Sequence, residues 1–306
     1  GCEHIFHSSD RSGSGESVGI RMEYENLFAL GPLCGVSDSN VVLEASRLCD
    51  DLGLDTISAG GSVAFAMECV EHGLLDEPEL RFGHGQALLD TLQKIGTREG
   101  IGDLLAEGTR IASQRIGQGS EAFAAHVKGL ELPGYEPRVL QTMALGFAVG
   151  SRGADHNRSG AYQVDFSDRV NRLNIDESSV PLAIETEDEA ALMDSLILCK
   201  FLRGVFEDRF LAMSEMLRLV TGVTHSVDEL RTTAHRIVTA KKRFNIRQGW
   251  TPEEDRLPAR FMNDPLNNEA TGSSVLSQPK LDLLIQQYNL ARGWTREGWI
   301  PDTEAS

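Results

Sequence analysis

Long apolar runs are missing from this 306-residue sequence, and none reaches membrane-spanning length. Positive charge is scarce too: 29 Lys and Arg face 46 Asp and Glu, a net charge of −17. Such a surface repels phosphate backbones and anionic lipids, which argues against nucleic acid and membrane as partners. The cysteines number five, at 2, 34, 49, 69 and 199. An odd, scattered set argues against a secreted disulfide framework and for a reducing, cytoplasmic setting. No Walker loop, no Gly-x-Gly-x-x-Gly behind a strand and no His-Glu-x-x-His occurs, which argues against a flavin or nicotinamide fold. "GESVG" (15–19) has nucleophile-elbow spacing, but a polar loop precedes it where a strand is required, so Ser17 is incidental.

What is present is globular: 41% hydrophobic and 25% charged residues, enough chain for two domains. Residues 8–19 are small, polar and loop-like; beyond them helical patterns dominate and strand signals are sparse, so the expected fold is mostly α. Ser39 is placed as a cap for "NVVLEASRLCDD", closed by Gly53, and Ser62 as the start of "VAFAMECVEH". Thr186 and Glu189 have capping-box spacing ahead of "AALMDSLILC". "HVKGLELPGYEPR" (126–138), with two prolines and two glycines, reads as an ordered connector. It divides the chain into helical domains 1–130 and 131–306. The chain starts at Gly1 rather than Met, and "GCEHIF" reads as a start within a longer protein.

One stretch breaks a rule. "RLCDDLGLD" (47–55) puts Asp50 and Asp51 at a helix end, where the backbone already carries partial negative charge, and adds Asp55 just past the turn. "DSLILC" (194–199) repeats the frame 144 residues later. On spacing alone both are helix ends with carboxylates facing water.

Their neighbours resemble the tungsten- or molybdenum-pterin aldehyde:ferredoxin oxidoreductase family. The matching stretches include "EYENLFALGP" (23–32), "LCDDLGLDTISAGGSVAFAMECVEHGLL" (48–75), "REGIGDLLAEGTR" (98–110), "HVKGLELPGYEPR", "SRGADHNR" (151–158), "LILCKFLRG" (196–204) and "RFNIRQGWTPEEDRLPARF" (243–261). They run in the family's order over most of the chain.

The resemblance implies two helical domains of that family's type, the middle and C-terminal ones, with the N-terminal domain outside this chain. It implies that the two turns hold the two pterins of a tungstopterin or molybdopterin cofactor: Asp50, Gly53, Leu54 and Asp55 at one, Asp194, Leu198 and Cys199 at the other. A carboxylate only accepts hydrogen bonds, which suits a donor-rich heterocycle edge. Ile197 departs from the family's usual glycine and leaves the shape of the second turn open. Cys2 and Cys199 match two of the four thiolates of a [4Fe–4S] cluster. By itself Cys2 is an incidental thiol or part of a zinc half-site with His4 and His7. This chain alone is then expected to hold no intact cubane.

For proton handling the resemblance points to Glu25 and His156; otherwise these read as a solvated helix-start carboxylate and a backbone-bonded loop histidine. Glu44 matches a position that helps hold an intersubunit metal in some members, or is a solvated helix face. Lys128, Arg138 and Arg152 either meet cofactor phosphates or form surface salt bridges. The implied activity is oxidation of an aldehyde to a carboxylic acid, with ferredoxin as electron acceptor and a homodimeric assembly. Two other functions stay open. One is a tungsten subunit of an aromatic acyl-CoA reductase; the other is a non-catalytic helical scaffold. Cys34, Cys49 and Cys69 read as buried, inert thiols.

Overall fold

The computed structural model describes residues 4–7, 19–202, 204–269 and 272–301. The chain divides into two compact units, residues 1–134 with 258–260, and residues 135–257 with 261–306. Among the described residues the fold is mostly α, with three two-stranded antiparallel sheets.

In the first unit, β1 (His4–His7) pairs with β2 (Gly19–Met22), Ile5 opposite Arg21. Helices α1 (Tyr24–Leu30), α2 (Ser39–Leu52), α3 (Thr56–Glu71), α4 (Gly85–Thr97), α5 (Ile101–Leu105) and α6 (Gly108–Ile116) follow. A hairpin of β3 (His126–Val127) and β4 (Leu130–Glu131) ends the unit. α2 is amphipathic and turns Val42, Ala45 and Cys49 into the core, where α4 packs with Leu88 and Leu92. α3 is apolar nearly all round because it runs through the centre. Gly60 lets it touch α1: a Cβ there would collide with the Ala29 carbonyl.

The caps differ from the sequence expectation in an informative way. Asp38, not Ser39, caps α2 through the Asn40 N–H at 2.9 Å. α3 begins at Thr56, six residues before Ser62, because Asp55 caps it; Ser62 is buried mid-helix. "IGDLLAEGTRIASQRIG" is two helices, broken at Gly108 (φ 80°).

The second unit contains α7 (Gln141–Val149), the short α8 (His156–Ser159) and α9 (Tyr162–Asp165), then α10 (Ser179–Ser195), α11 (Arg209–Thr221) and α12 (Val227–Arg247). α13 (Ala259–Asn263) starts in the 258–260 segment; the hairpin β5 (Leu266–Asn268) and β6 (Gly272–Ser274) and α14 (Gln278–Ala291) complete the chain. All nine residues of α7 are buried; seven are apolar, and Gln141 and Thr142 at its start are the two polar ones. α10 packs against α7, α12 and α14. It begins at Ser179, so Thr186 and Glu189 are mid-helix and no capping box forms there. Thr186 donates to the Ala183 carbonyl and Glu189 pairs with Arg209. The capping box lies instead at Ser226 and Glu229, opening α12.

Candidate functional site

The first turn is built by Gly53, which ends α2 in the left-handed region at φ 69°, ψ 33°. Its N–H donates to the Asp50 carbonyl at 3.2 Å, and the Leu54 N–H donates to the Cys49 carbonyl at 2.8 Å. This double closure satisfies carbonyls that the helix end would otherwise orphan. Asp55 then accepts the Ser58 N–H at 2.8 Å through Oδ1 and opens α3. One short segment therefore closes one helix and starts the next, leaving Asp50 and Asp55 exposed and Leu54 half-buried.

The carboxylates make this helix end strongly negative. No basic residue sits in the last turn of α2; Arg47, one turn back, pairs with Asp51 at 2.7 Å and with Glu44. Neither Asp50 nor Asp55 has an ion-pair partner among the described residues. Burial pushes the Cys49 thiol up to about 12, and Asp50 and Asp55 add to that rise. Cys34 and Cys69 are likewise pushed up to about 12, chiefly by burial, so all three are inert thiols.

Glu25 feels the same field. Half-buried near the start of α1, its carboxyl is pushed up to about 7. Burial is the main cause; a hydrogen bond from the Gly134 N–H at 2.9 Å opposes it, and the Asp55 charge adds to it. The structure thus brings Glu25 and Asp55 into one electrostatic neighbourhood.

In the second unit, α10 ends in a turn with the same bonding. The Ile197 N–H donates to the Asp194 carbonyl at 3.1 Å, and the Leu198 N–H to the Met193 carbonyl at 2.9 Å. Ile197 adopts φ 58°, the left-handed conformation Gly53 has in the first turn. The missing glycine therefore leaves the backbone pattern intact and transfers its cost to a strained β-branched residue. Ile197 is 92% exposed.

Asp194 is the best-connected carboxylate here. Lys200 Nζ lies 2.7 Å from Oδ1, and Arg158 bonds Oδ2. Burial pushes its acid strength down, but Lys200 and Arg158 outweigh burial and hold the carboxyl below the usual range. Cys199 follows, exposed and outside any disulfide.

His156 opens α8, capped by Asp155, which accepts the Asn157 and Arg158 N–H groups at 2.9 and 3.1 Å. α8 reaches the second turn directly, through Arg158 to Asp194 and through Lys200 Nζ to the Asn157 carbonyl at 3.4 Å. The His156 ring is half-buried, stacked on Tyr135 (centroids 4.8 Å apart, planes 22° apart), with Tyr162 at 6.1 Å. Gly146 of α7 makes room, since a Cβ there would collide with Ser159 Oγ.

Other candidates resolve into ordinary pairing. Arg138 binds both Glu136 oxygens, Arg152 pairs with Asp155 at 2.9 Å, and Arg47 holds the Glu44 carboxyl below its ordinary range. Cys2 lies outside the described residues. Among the described residues no group of three His, Cys, Asp or Glu side chains is disposed to hold a metal ion. No helix among them is long and apolar enough to cross a membrane. Sequence reasoning missed Tyr24, Tyr135, Arg158, Tyr162 and Lys200. Each lies within or beside a stretch already singled out, but only the tertiary contact gives it a role.

Both turns fit a donor-rich ligand edge. The first offers two exposed carboxylates on a bare backbone, where a Cβ on Gly53 would meet nothing within 4 Å. Each Asp194 oxygen already accepts from a cation, yet a carboxylate oxygen has two lone pairs and can accept again. The neighbouring Arg158 and Lys200 add donors of their own, so the second turn suits a ligand with both donor and acceptor groups.

Comparison with known proteins places the chain in a family. Residues 1–305 match the sequence model of a family described as aldehyde ferredoxin oxidoreductase, domains 2 & 3. The chain is 33% identical over 294 residues to the tungsten-containing aldehyde ferredoxin oxidoreductase of Thermococcus kodakarensis, covering 92% of this chain and 47% of that protein. It is 34% identical over 293 residues to the Pyrococcus horikoshii protein of the same description, with the same two coverages. The chain thus spans about half the length of the curated relatives it matches. Among solved structures, the active site complex BamBC of benzoyl coenzyme A reductase, in complex with 1,5-dienoyl-CoA, superimposes with a TM-score of 0.74. That match is 22% identical and covers 95% of this chain and 49% of the other, a likeness of fold.

Proposed function

This chain belongs to the aldehyde ferredoxin oxidoreductase family, and on that premise we propose that it oxidises an aldehyde to a carboxylic acid with a tungsten- or molybdenum-pterin cofactor. Electrons then leave through a [4Fe–4S] cluster to ferredoxin, and the protein works as a homodimer in the cytoplasm.

The observation that carries this reading is the pair of matching turns. Each has an Asp at the helix end, a left-handed residue three positions on, the same two backbone bonds, and a side chain able to bind a cofactor two residues further (Asp55 or Cys199). Asp50, Leu54 and Asp55 would hold one pterin, and Asp194 and Leu198 the other. Cys199 would supply one cluster thiolate and Cys2 another. When bound, the pterin metal supplies a two-electron acceptor for the oxidation.

The protein's own part is proton handling and positioning. A carboxyl near 7 is divided between its two forms at neutral pH, so Glu25 can take a proton from water during hydration of the carbonyl. His156, fixed by its stack on Tyr135, would donate to the carbonyl oxygen. Arg158 and Lys200 keep Asp194 ionised and so able to accept.

Ile197 gives no support to a scaffold that has lost the cofactor, because its turn keeps the left-handed residue and the two backbone bonds of the first. A tungsten-dependent acyl-CoA reduction is the other outcome of the test. Purify the protein without oxygen from a host supplied with tungstate and molybdate, measure its metals, then assay an aldehyde panel and aromatic acyl-CoA thioesters. About one tungsten or molybdenum per chain, with aldehyde turnover that Glu25→Gln lowers by about 10²–10⁴-fold, is expected. No pterin metal, or thioester reduction in place of aldehyde oxidation, overturns the reading.

A further inference from the structure

Glu25 does not stand alone on α1. Its neighbour Tyr24 reaches the same residue from the other side: the Tyr24 hydroxyl donates to the Gly134 carbonyl at 2.6 Å, while the Gly134 N–H donates to Glu25 Oε2 at 2.9 Å. Two consecutive residues thus grip both polar groups of one glycine about 110 residues away in sequence. The grip leaves no slack. A Cβ on Gly134 would lie 2.9 Å from Phe28 Cγ and equally close to the Tyr24 ring and hydroxyl, so only glycine fits. Tyr24 is itself braced by Phe28, with ring centroids 6.5 Å apart and planes 15° apart. Pro133 comes just before, with its backbone angle fixed by its ring.

We propose that Tyr24 is a positioning residue for Glu25: through Gly134 it holds the N–H donor that fixes the plane of the Glu25 carboxylate and stabilises its ionised form. The inference rests on the reading of Glu25 as proton acceptor only for its consequence in turnover; the clamp itself is geometric. Asp55, at the start of α3, disfavours the Glu25 charge, as burial does, while the adjacent Tyr24 hydroxyl is itself raised by burial and by the Glu25 charge and stays neutral. The Gly134 N–H works against Asp55 and burial. A bond that offsets burial is effective only while its donor stays in place, and Tyr24 supplies the second anchor.

The test follows the protonated carboxyl directly. In the protein as purified from the tungstate-supplied host, the carbonyl stretch of protonated Glu25 is titrated by infrared difference spectroscopy, the band being assigned by its loss in Glu25→Gln. Tyr24→Phe removes only the hydroxyl and keeps the ring stack. It is expected to move the Glu25 midpoint upward by about half a pH unit or more, a roughly threefold change in proton affinity. The acid limb of the kcat/KM profile should move with it. Gly134→Ala should move the midpoint the same way, and Phe28→Leu, which spares both hydrogen bonds, should move it much less. A Tyr24→Phe midpoint equal to wild type, in protein with unchanged circular dichroism, overturns the clamp, because a purely structural tyrosine would cost stability without touching Glu25. A shifted midpoint together with full turnover in Glu25→Gln supports the clamp and rejects Glu25 as the proton acceptor, so the two ideas fail separately.

Discussion

Replacing Ile197 with glycine should make this protein more stable, although it removes a large side chain. An L-residue in the left-handed region costs about 1–2 kcal/mol, and a β-branched one lies at the upper end. Ile197 sits there at φ 58°. Glycine removes that strain but gives the unfolded chain more freedom, a loss of about 0.5–1 kcal/mol. The side chain is 92% exposed, so little burial is lost with it. The balance is a gain of about 1 kcal/mol, or about 2–4 °C in Tm for a unit of this size. The mirror substitution checks the arithmetic. At Gly53 a Cβ meets nothing within 4 Å, so Gly53→Ile adds strain with no collision and should cost about the same amount. Differential scanning calorimetry at a fixed scan rate reads both variants, and the two units can unfold in separate transitions. Tungsten content of Ile197→Gly should equal wild type, because the turn keeps its backbone bonds. A Tm for Ile197→Gly at or below wild type would refute the reasoning and show that the isoleucine is packed in the assembled protein.

Three further outcomes are expected. Asp165, 3% exposed, accepts the Thr142 and Met143 N–H groups at 3.0 and 2.8 Å and so caps α7 from a distance; burial pushes its carboxyl from 3.8 up to about 6. A raised folded value means its contribution is full below 3.8 and is lost as pH rises through about 6. Asp165→Asn should therefore flatten the pH dependence of the urea midpoint between those values, and an unchanged slope would exclude Asp165 as its source. Arg292, 1% exposed, holds Glu187 and Asp188 at 2.6 Å each and joins α14 to α10. Arg292→Met leaves two carboxylates without their cation and should cost about 3–5 kcal/mol in guanidinium unfolding; a loss below about 1 kcal/mol would mean water reaches the pair. Asp194→Ala should lower tungsten per chain, measured by elemental analysis, while helix content by circular dichroism stays near wild type; full metal content would remove Asp194 from the cofactor site.

Much of this protein could be read before folding. α2 followed from apolar spacing, and Gly53 from the rule that a helix closes on a left-handed residue. The twin Asp turns were visible because they break a local rule, and rule-breaking concentrates at functional sites. The errors also have a physical pattern. Ser62 lost to Asp55 as the start of α3 because several residues could cap locally and core packing chose among them. The capping box expected at Thr186 failed because α10 extends back to Ser179, its buried face continuing past the local signal.

What the sequence by itself determined is the local chemistry: mostly helical segments, the acidic surface, and two carboxylate turns with a left-handed position each. Those features depend on residues a few places apart, within reach of backbone hydrogen bonds. What only the tertiary structure decided is the environment of each group. Glu25 rises to about 7 because folding buries it and sets Asp55 nearby, against the opposing hydrogen bond from Gly134. Asp194 is held ionised because α8 carries Arg158 across 36 residues of sequence to meet it. Burial and charge act through space, and separation in space is the quantity a linear sequence does not carry.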